Sequence, residues 1–127
     1  MKALLVDDSE VMRKVIGEAL SKCGFAEVVH ATDGQQTLDL TGQHEFALAV
    51  IDWDLPRMSG VDTVRALREQ GRGLPVIIVA EEGARDRVIE ALKSGATGFV
   101  IKPFDTATFE AKVKSVLALA SPQMAQE

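Results

Sequence analysis

Four charged residues each follow directly on a short apolar run. Asp7 and Asp8 come after Ala3-Leu4-Leu5-Val6, Asp52 after Ala47-Leu48-Ala49-Val50-Ile51, and Lys102 after Gly98-Phe99-Val100-Ile101. Runs of this kind, partly β-branched and without polar alternation, predict strands buried on both faces. If such strands lie parallel, the four groups meet at one lip of the sheet. Three carboxylates in one crevice repel one another, and some take up protons unless a cation intervenes. An oxygen-only cluster suits Mg²⁺ or Mn²⁺, hard ions that keep several waters and accept few protein ligands. A metal beside a carboxylate lowers the barrier to bringing an anionic phosphoryl group to an anionic nucleophile. Lys102 can pair with phosphoryl oxygens from the other side. The chemistry these residue types can perform is acyl phosphate formation on an aspartate.

The elements that must position them are legible along the chain. Ser9 can cap a first helix with Met12, Val15, Ile16, Ala19, Leu20 and Cys23 on one face, and Gly24 is a natural stop. A weaker strand is expected over 26–31, and Asp33-Gly34 turns the chain into a helix over 35–41, anchored by Leu38 and Leu40 and ended by Gly42. The central strand, 46–52, is broken by Leu55-Pro56 before Ser59-Gly60 opens a third helix over 60–70, with Val61, Val64 and Leu67 inward. Pro75 begins a fourth strand that runs to Ala80, and a helix over 84–94 follows with Val88, Ala91 and Leu92 on one side. After the fifth strand and Lys102-Pro103, Asp105 can cap a last helix carrying Phe109, Val113, Val116, Leu117 and Ala120, stopped by Ser121-Pro122. Five β–α units with short connections predict an α/β, doubly wound, flavodoxin-like five-stranded parallel sheet with helices on both faces. In such sheets ligands bind outside the carboxyl ends of the strands.

Composition agrees with one globular domain. The chain has 127 residues, 46% of them hydrophobic and 26% charged, which suits a folded core rather than disorder. A net charge of −5 argues against generic nucleic-acid binding. No apolar run reaches the length of a membrane span, and Met1-Lys2 leads straight into a strand, which predicts a cytoplasmic protein with no membrane insertion. The single Cys23 reads as a core residue. His30 and His44 have no paired ligands and are assigned no role. Trp53 is expected to be a partly exposed neighbour of the site, and Arg85 and Arg87 a solvated helix face.

Three motifs together resemble the receiver domains of bacterial two-component response regulators: Val6-Asp7-Asp8-Ser9, the run from Ile51 to Gly60, and the run from Gly95 to Phe104. Single-domain length and the Asp52-Trp53-Asp54 context look closest to chemotaxis-type regulators. The resemblance implies that residues 1–120 form the receiver domain and that 121–127 are a polar tail or linker stub. It implies Asp52 as phosphoacceptor, Asp8 as a direct Mg²⁺ (or Mn²⁺) ligand, Asp7 as a ligand through water, and the backbone carbonyl of Asp54 as a further ligand. Lys102 would contact the phosphoryl group, and the bond before Pro103 is commonly cis in the family. The implied partners are a sensor histidine kinase or phosphotransfer protein and a downstream protein target. The target would dock on the face of helix four, strand five and helix five, with Arg85, Val88, Phe99 and Lys112. The resemblance implies action by protein contact rather than enzymatic turnover, with a phosphorylated aspartate able to lose its own phosphoryl group.

The sequence departs from the family pattern at Ala80, where a Thr or Ser hydroxyl normally meets the phosphoryl group; Phe99 keeps the aromatic that moves with it. No Ser or Thr occurs from Leu74 to Lys93, and Glu81 and Glu82 follow the alanine. Phosphorylation is thus expected to be retained and the switch altered. Two rival readings follow: a pseudo-receiver that binds partners without phosphate, or a haloacid-dehalogenase-type phosphatase using Asp52-Trp53-Asp54 as its nucleophile motif. That class places its acidic pair late in the chain, whereas here it comes first, at Asp7-Asp8.

Overall fold

A computed structural model describes residues 1–81 and 85–120. Strands and helices alternate strictly: β1 (Lys2–Val6), α1 (Glu10–Lys22), β2 (Glu27–Ala31), α2 (Gly34–Gln43), β3 (Leu48–Asp52), α3 (Gly60–Glu69), β4 (Val76–Glu81), α4 (Arg85–Ser94), β5 (Gly98–Lys102) and α5 (Thr106–Ala120). The strands form one parallel sheet in the order β2-β1-β3-β4-β5. The doubly wound architecture predicted from the apolar runs is the one observed. The expected tail, 121–127, lies outside the described residues.

Alternate residues of the central strands feed two cores, one on each face. One gathers Leu5, Val50, Ile77 and Val79 with Ile16 and Leu20 of α1 and Phe109, Val113 and Val116 of α5. The other gathers Leu4, Ile51, Ile78 and Ala80 with Val61, Val64 and Leu67 of α3 and Ala91 of α4. All five residues of β3 are buried, as a strand covered on both faces requires. Side-chain caps fix where helices begin. Ser9 accepts from the N–H of Met12, Asp33 from Gln36, Ser59 from Asp62 and Asp105 from Thr108.

Several details differ from expectation. Helix α2 runs through Gly42 to Gln43, with Thr37 and Thr41 buried on its packed face and their hydroxyls donating to the carbonyls of Asp33 and Leu38. Val15 on α1 and Leu92 on α4 are 48% and 53% exposed, since each lies at the margin of its apolar stripe, beyond the sheet. Trp53 is only 8% exposed and packs in the α3–α4 core rather than standing open beside the site. The peptide bond between Lys102 and Pro103 is cis.

Two glycines serve close approaches. Gly95 ends α4 at φ +108°, and the guanidinium of Arg68 covers it, donating from Nε and Nη2 to the Gly95 carbonyl and from Nη1 to those of Arg72 and Leu74. Gly60 begins α3 directly under the end of β3. Its N–H bonds the Trp53 carbonyl at 2.9 Å, and a Cβ there would overlap the carbonyl oxygen of Asp52. Gly60→Ala should therefore cost about 2–4 kcal/mol of stability in urea unfolding, because backbone rather than a flexible side chain would have to move.

Candidate functional site

The sheet order places β1 beside β3, so the acids ending the two strands become neighbours at the carboxyl lip. Carboxylate oxygens of Asp7, Asp8 and Asp52 all lie within 4.8 Å of one another. Asp8 is exposed, whereas Asp7 and Asp52 are 1% and 5% exposed. Lys102 reaches the same point from β5. Its Nζ stands 3.2 Å from Oδ1 of Asp52 and 3.8 Å from Oδ2 of Asp7. The structure thus brings together the four side chains whose placement after apolar runs suggested a shared site.

Each acid is anchored through its neighbourhood. Asp7 accepts the Ser9 N–H on Oδ1 at 2.9 Å, and its own N–H donates to the Ala31 carbonyl at 3.1 Å. Arg13 donates to the Asp7 carbonyl at 2.7 Å. Asp52 is held by the ladder that pairs it with Val79, and the next N–H, that of Trp53, donates to the Val79 carbonyl at 2.8 Å. The loop beyond turns sharply. Arg57 adopts φ +68°, a left-handed conformation that costs a non-glycine residue energy, and its guanidinium bonds Asp33 at 2.6 Å to fix the turn.

The two oxygens that face Lys102, Oδ2 of Asp7 and Oδ1 of Asp52, are buried without a well-formed hydrogen bond, with the ammonium 3.8 Å and 3.2 Å away. Burial is the main reason the pKa of Asp52 rises from 3.8 to about 6; Asp7 and Asp54 add to the rise and Lys102 opposes it. Burial likewise raises the pKa of Asp7, against the pull of the Ser9 N–H and Lys102. One lysine does not neutralise three carboxylates. Two orphaned buried oxygens and an exposed third carboxylate, all oxygen donors within a few ångströms, fit a hard divalent cation of the Mg²⁺ type.

The remaining expected positions are also placed. Asp54 is exposed, with its carboxylate 3.4 Å from Nη1 of Arg87. Ala80, fully buried, sits one residue beyond Val79, the strand partner of Asp52, and belongs to the core under α3 and α4. Phe99 is partly buried against that core. Arg13 went unread in the sequence, and Arg87 was read only as part of a solvated helix face. Arg13 clamps the Asp7 carbonyl, and Arg87 lies over the Trp53 ring with 5.0 Å to its centroid. Both stand in the first turns of their helices, where the macrodipole disfavours cations; that misfit was the available signal.

Comparison with known proteins identifies this arrangement. The family model described as the response regulator receiver domain matches residues 3–114. The chain belongs to the response regulator receiver domain family. Among curated relatives of this receiver, chemotaxis protein CheY of Pseudomonas aeruginosa is 38% identical over 118 residues, 91% of this chain and 95% of that protein. The chemotaxis protein CheY homolog of Campylobacter jejuni is 35% identical and covers 100% of both chains. The solved structure of chemotaxis response regulator CheY4 of Vibrio cholerae superposes with a TM-score of 0.83 at 31% identity, covering 91% of this chain and 97% of that one. The family is one of signalling proteins rather than turnover enzymes, and nothing in the comparisons favours the phosphatase or pseudo-receiver readings. Among the described residues no helix is long and apolar enough to cross a membrane.

The raised pKa of Asp52 predicts how stability depends on pH without a divalent cation. Below pH 3.8 the folded and unfolded chains both carry the neutral acid. Between 3.8 and about 6 the unfolded chain ionises first, so stability falls as pH rises; above about 6 the whole cost of the buried charge is present. Asp52→Asn should therefore stabilise the chelated protein at pH 7.5 by up to about 3 kcal/mol, with the gain vanishing near pH 4. Urea unfolding of both proteins in EDTA across that range measures it.

Proposed function

We propose that this receiver accepts a phosphoryl group on Asp52 from a sensor histidine kinase or phosphotransfer protein in the cytoplasm, and signals by contact with a downstream protein. The observation that carries the reading is the buried Asp52 carboxylate, 3.2 Å from Lys102 and within 4.8 Å of Asp7 and Asp8, at the carboxyl end of the central strand. Asp7, Asp8 and the backbone carbonyl of Asp54 would hold Mg²⁺ (or Mn²⁺) beside Asp52. When bound, the ion supplies positive charge that keeps Asp52 ionised and offsets the charge of the incoming phosphoryl group.

This chain's own residues do the rest. An oxygen of Asp52 attacks phosphorus; the new P–O bond forms as the P–N bond to the donor imidazole breaks. Lys102 already pairs with Asp52, so its ammonium can follow the negative charge as it passes to the phosphoryl oxygens. Burial of Asp52 excludes bulk water from the nucleophile, and Ser9 and Arg13 keep Asp7 in register through its Oδ1 and its carbonyl. Attack of water on phosphorus later returns the free carboxylate and releases inorganic phosphate. The receiver domain spans residues 1–120, and the output face comprises α4, β5 and α5.

Intact-mass spectrometry after incubation with acetyl phosphate and Mg²⁺ tests the reading. One phosphoryl adduct is expected on the wild type, none on Asp52→Asn, and a strong loss on Asp8→Ala or after chelation. An adduct of equal yield on Asp52→Asn overturns the assignment.

A further inference from the structure

Ala80 brings no side-chain hydrogen-bond donor to the lip on the side of α4. Its methyl faces the core shared by Trp53, α3 and Ala91 of α4, one residue past the partner of Asp52. A phosphoryl group on Asp52, beside Asp7 and Asp8, brings more negative charge than a divalent cation and Lys102 together balance. We infer that Arg87 supplies the missing contact: on phosphorylation its guanidinium leaves Asp54, binds the phosphoryl oxygens, and draws the start of α4 toward the site. The inference rests on Asp52 being the phosphoacceptor.

Among the described residues three arginines stand around the lip, and they are not equally free. Arg13 is bound to the Asp7 carbonyl at 2.7 Å and Arg57 to Asp33 at 2.6 Å. Arg87 is held most loosely, 3.4 Å from the carboxylate of Asp54, with side chains 41% and 56% exposed. Exposed pairs of this kind are weak and readily exchanged. The Trp53 ring beneath it is a flat, buried platform on the residue next to Asp52, so the guanidinium can slide toward the phosphoryl group without losing its apolar support.

Electrostatics point the same way. Arg87 is the third residue of α4, where the helix dipole repels a cation. Its presence there is costly unless an anion compensates, and Asp54 is the anion it now has. Asp54 lies two residues beyond Asp52, so the Arg87–Asp54 pair sits on the loop that leaves the phosphoacceptor. A phosphoryl group offers a guanidinium two charged oxygens in bidentate geometry, against one exposed carboxylate oxygen now. A neutral hydroxyl at the strand end would respond by a short movement of the loop; a guanidinium on α4 responds by moving the helix that bears it.

Beryllofluoride, a stable mimic of the phosphoryl group, tests this in the full chain with saturating Mg²⁺, its binding followed by fluorine NMR. Arg87→Ala should weaken half-saturation about tenfold, and Arg87→Lys should recover part of the loss, because charge survives and the bidentate fork does not. Half-saturation by Mg²⁺ alone should change less than about twofold in Arg87→Ala. The Nε–H resonance of Arg87 should shift on beryllofluoride binding in the wild type. Wild-type affinity in Arg87→Ala, or an unmoved Nε–H resonance, overturns the inference while leaving Asp52 as acceptor. Equal beryllofluoride binding by Asp52→Asn overturns the acceptor assignment itself, and the inference with it.

Discussion

One ammonium facing two buried carboxylates governs this molecule. Lys102 lies between Asp7 and Asp52, neither of which retains appreciable contact with solvent. Buried like charges are tolerable only with compensation, and the compensation here is incomplete: two oxygens lack hydrogen bonds and the Asp52 pKa stands near 6. A site so arranged gains free energy from any further positive charge placed among its oxygens. Unsatisfied charge in the resting protein is what makes the lip receptive.

The topology exists to create that meeting. Strand β1 pairs with both β2 and β3, so the first acids in the chain adjoin an acid some forty-five residues later. Strand β4 lies between β3 and β5, and Lys102 must cross its end to reach Asp52. Asp52 pairs in register with Val79 and Lys102 with Glu81, so Ala80 is the residue of β4 between the two levels. The two cores on the sheet faces hold the strands in register, and a one-residue slip of β3 would turn Asp52 to the opposite face.

Much of this was legible in the sequence because the relevant signals are local. Unbroken apolar runs marked β1, β3, β4 and β5, and their terminal charges marked the lip. Ser9, Ser59 and Asp105 announced helix starts through the polar side chain each presents to a free N–H. The misses have a different origin. Helical period defines an apolar stripe but not how far the sheet extends beneath it, so Val15 and Leu92 were assigned inward and lie largely open. Trp53 follows a functional acid and was expected at the surface; α3 and α4 converge over it, which no local pattern records. Gly42 resembled a stop, but the buried Thr37 and Thr41 before it belong to tertiary packing. Arg87 was read as a solvated helix face because its partner, Asp54, is distant in sequence and the pair forms only when α4 folds over the lip.

The clamp made by Arg68 gives α4 an uneven mounting. Its guanidinium ties the glycine at the end of the helix to the loop before β4 through four hydrogen bonds. Toward the start of the helix, the described contacts of Arg87 are a loose ion pair and a ring face. Ten residues of helix form a rod about 15 Å long. Pinned at one end, such a rod swings rather than slides. Its far tip travels most while the pinned end barely moves, so the exposed Ile89, nearer the free end, sweeps a wider arc than Leu92. The pivot would then grade the output surface, turning a small pull at the site into a change in the angle at which α4 presents its apolar side chains.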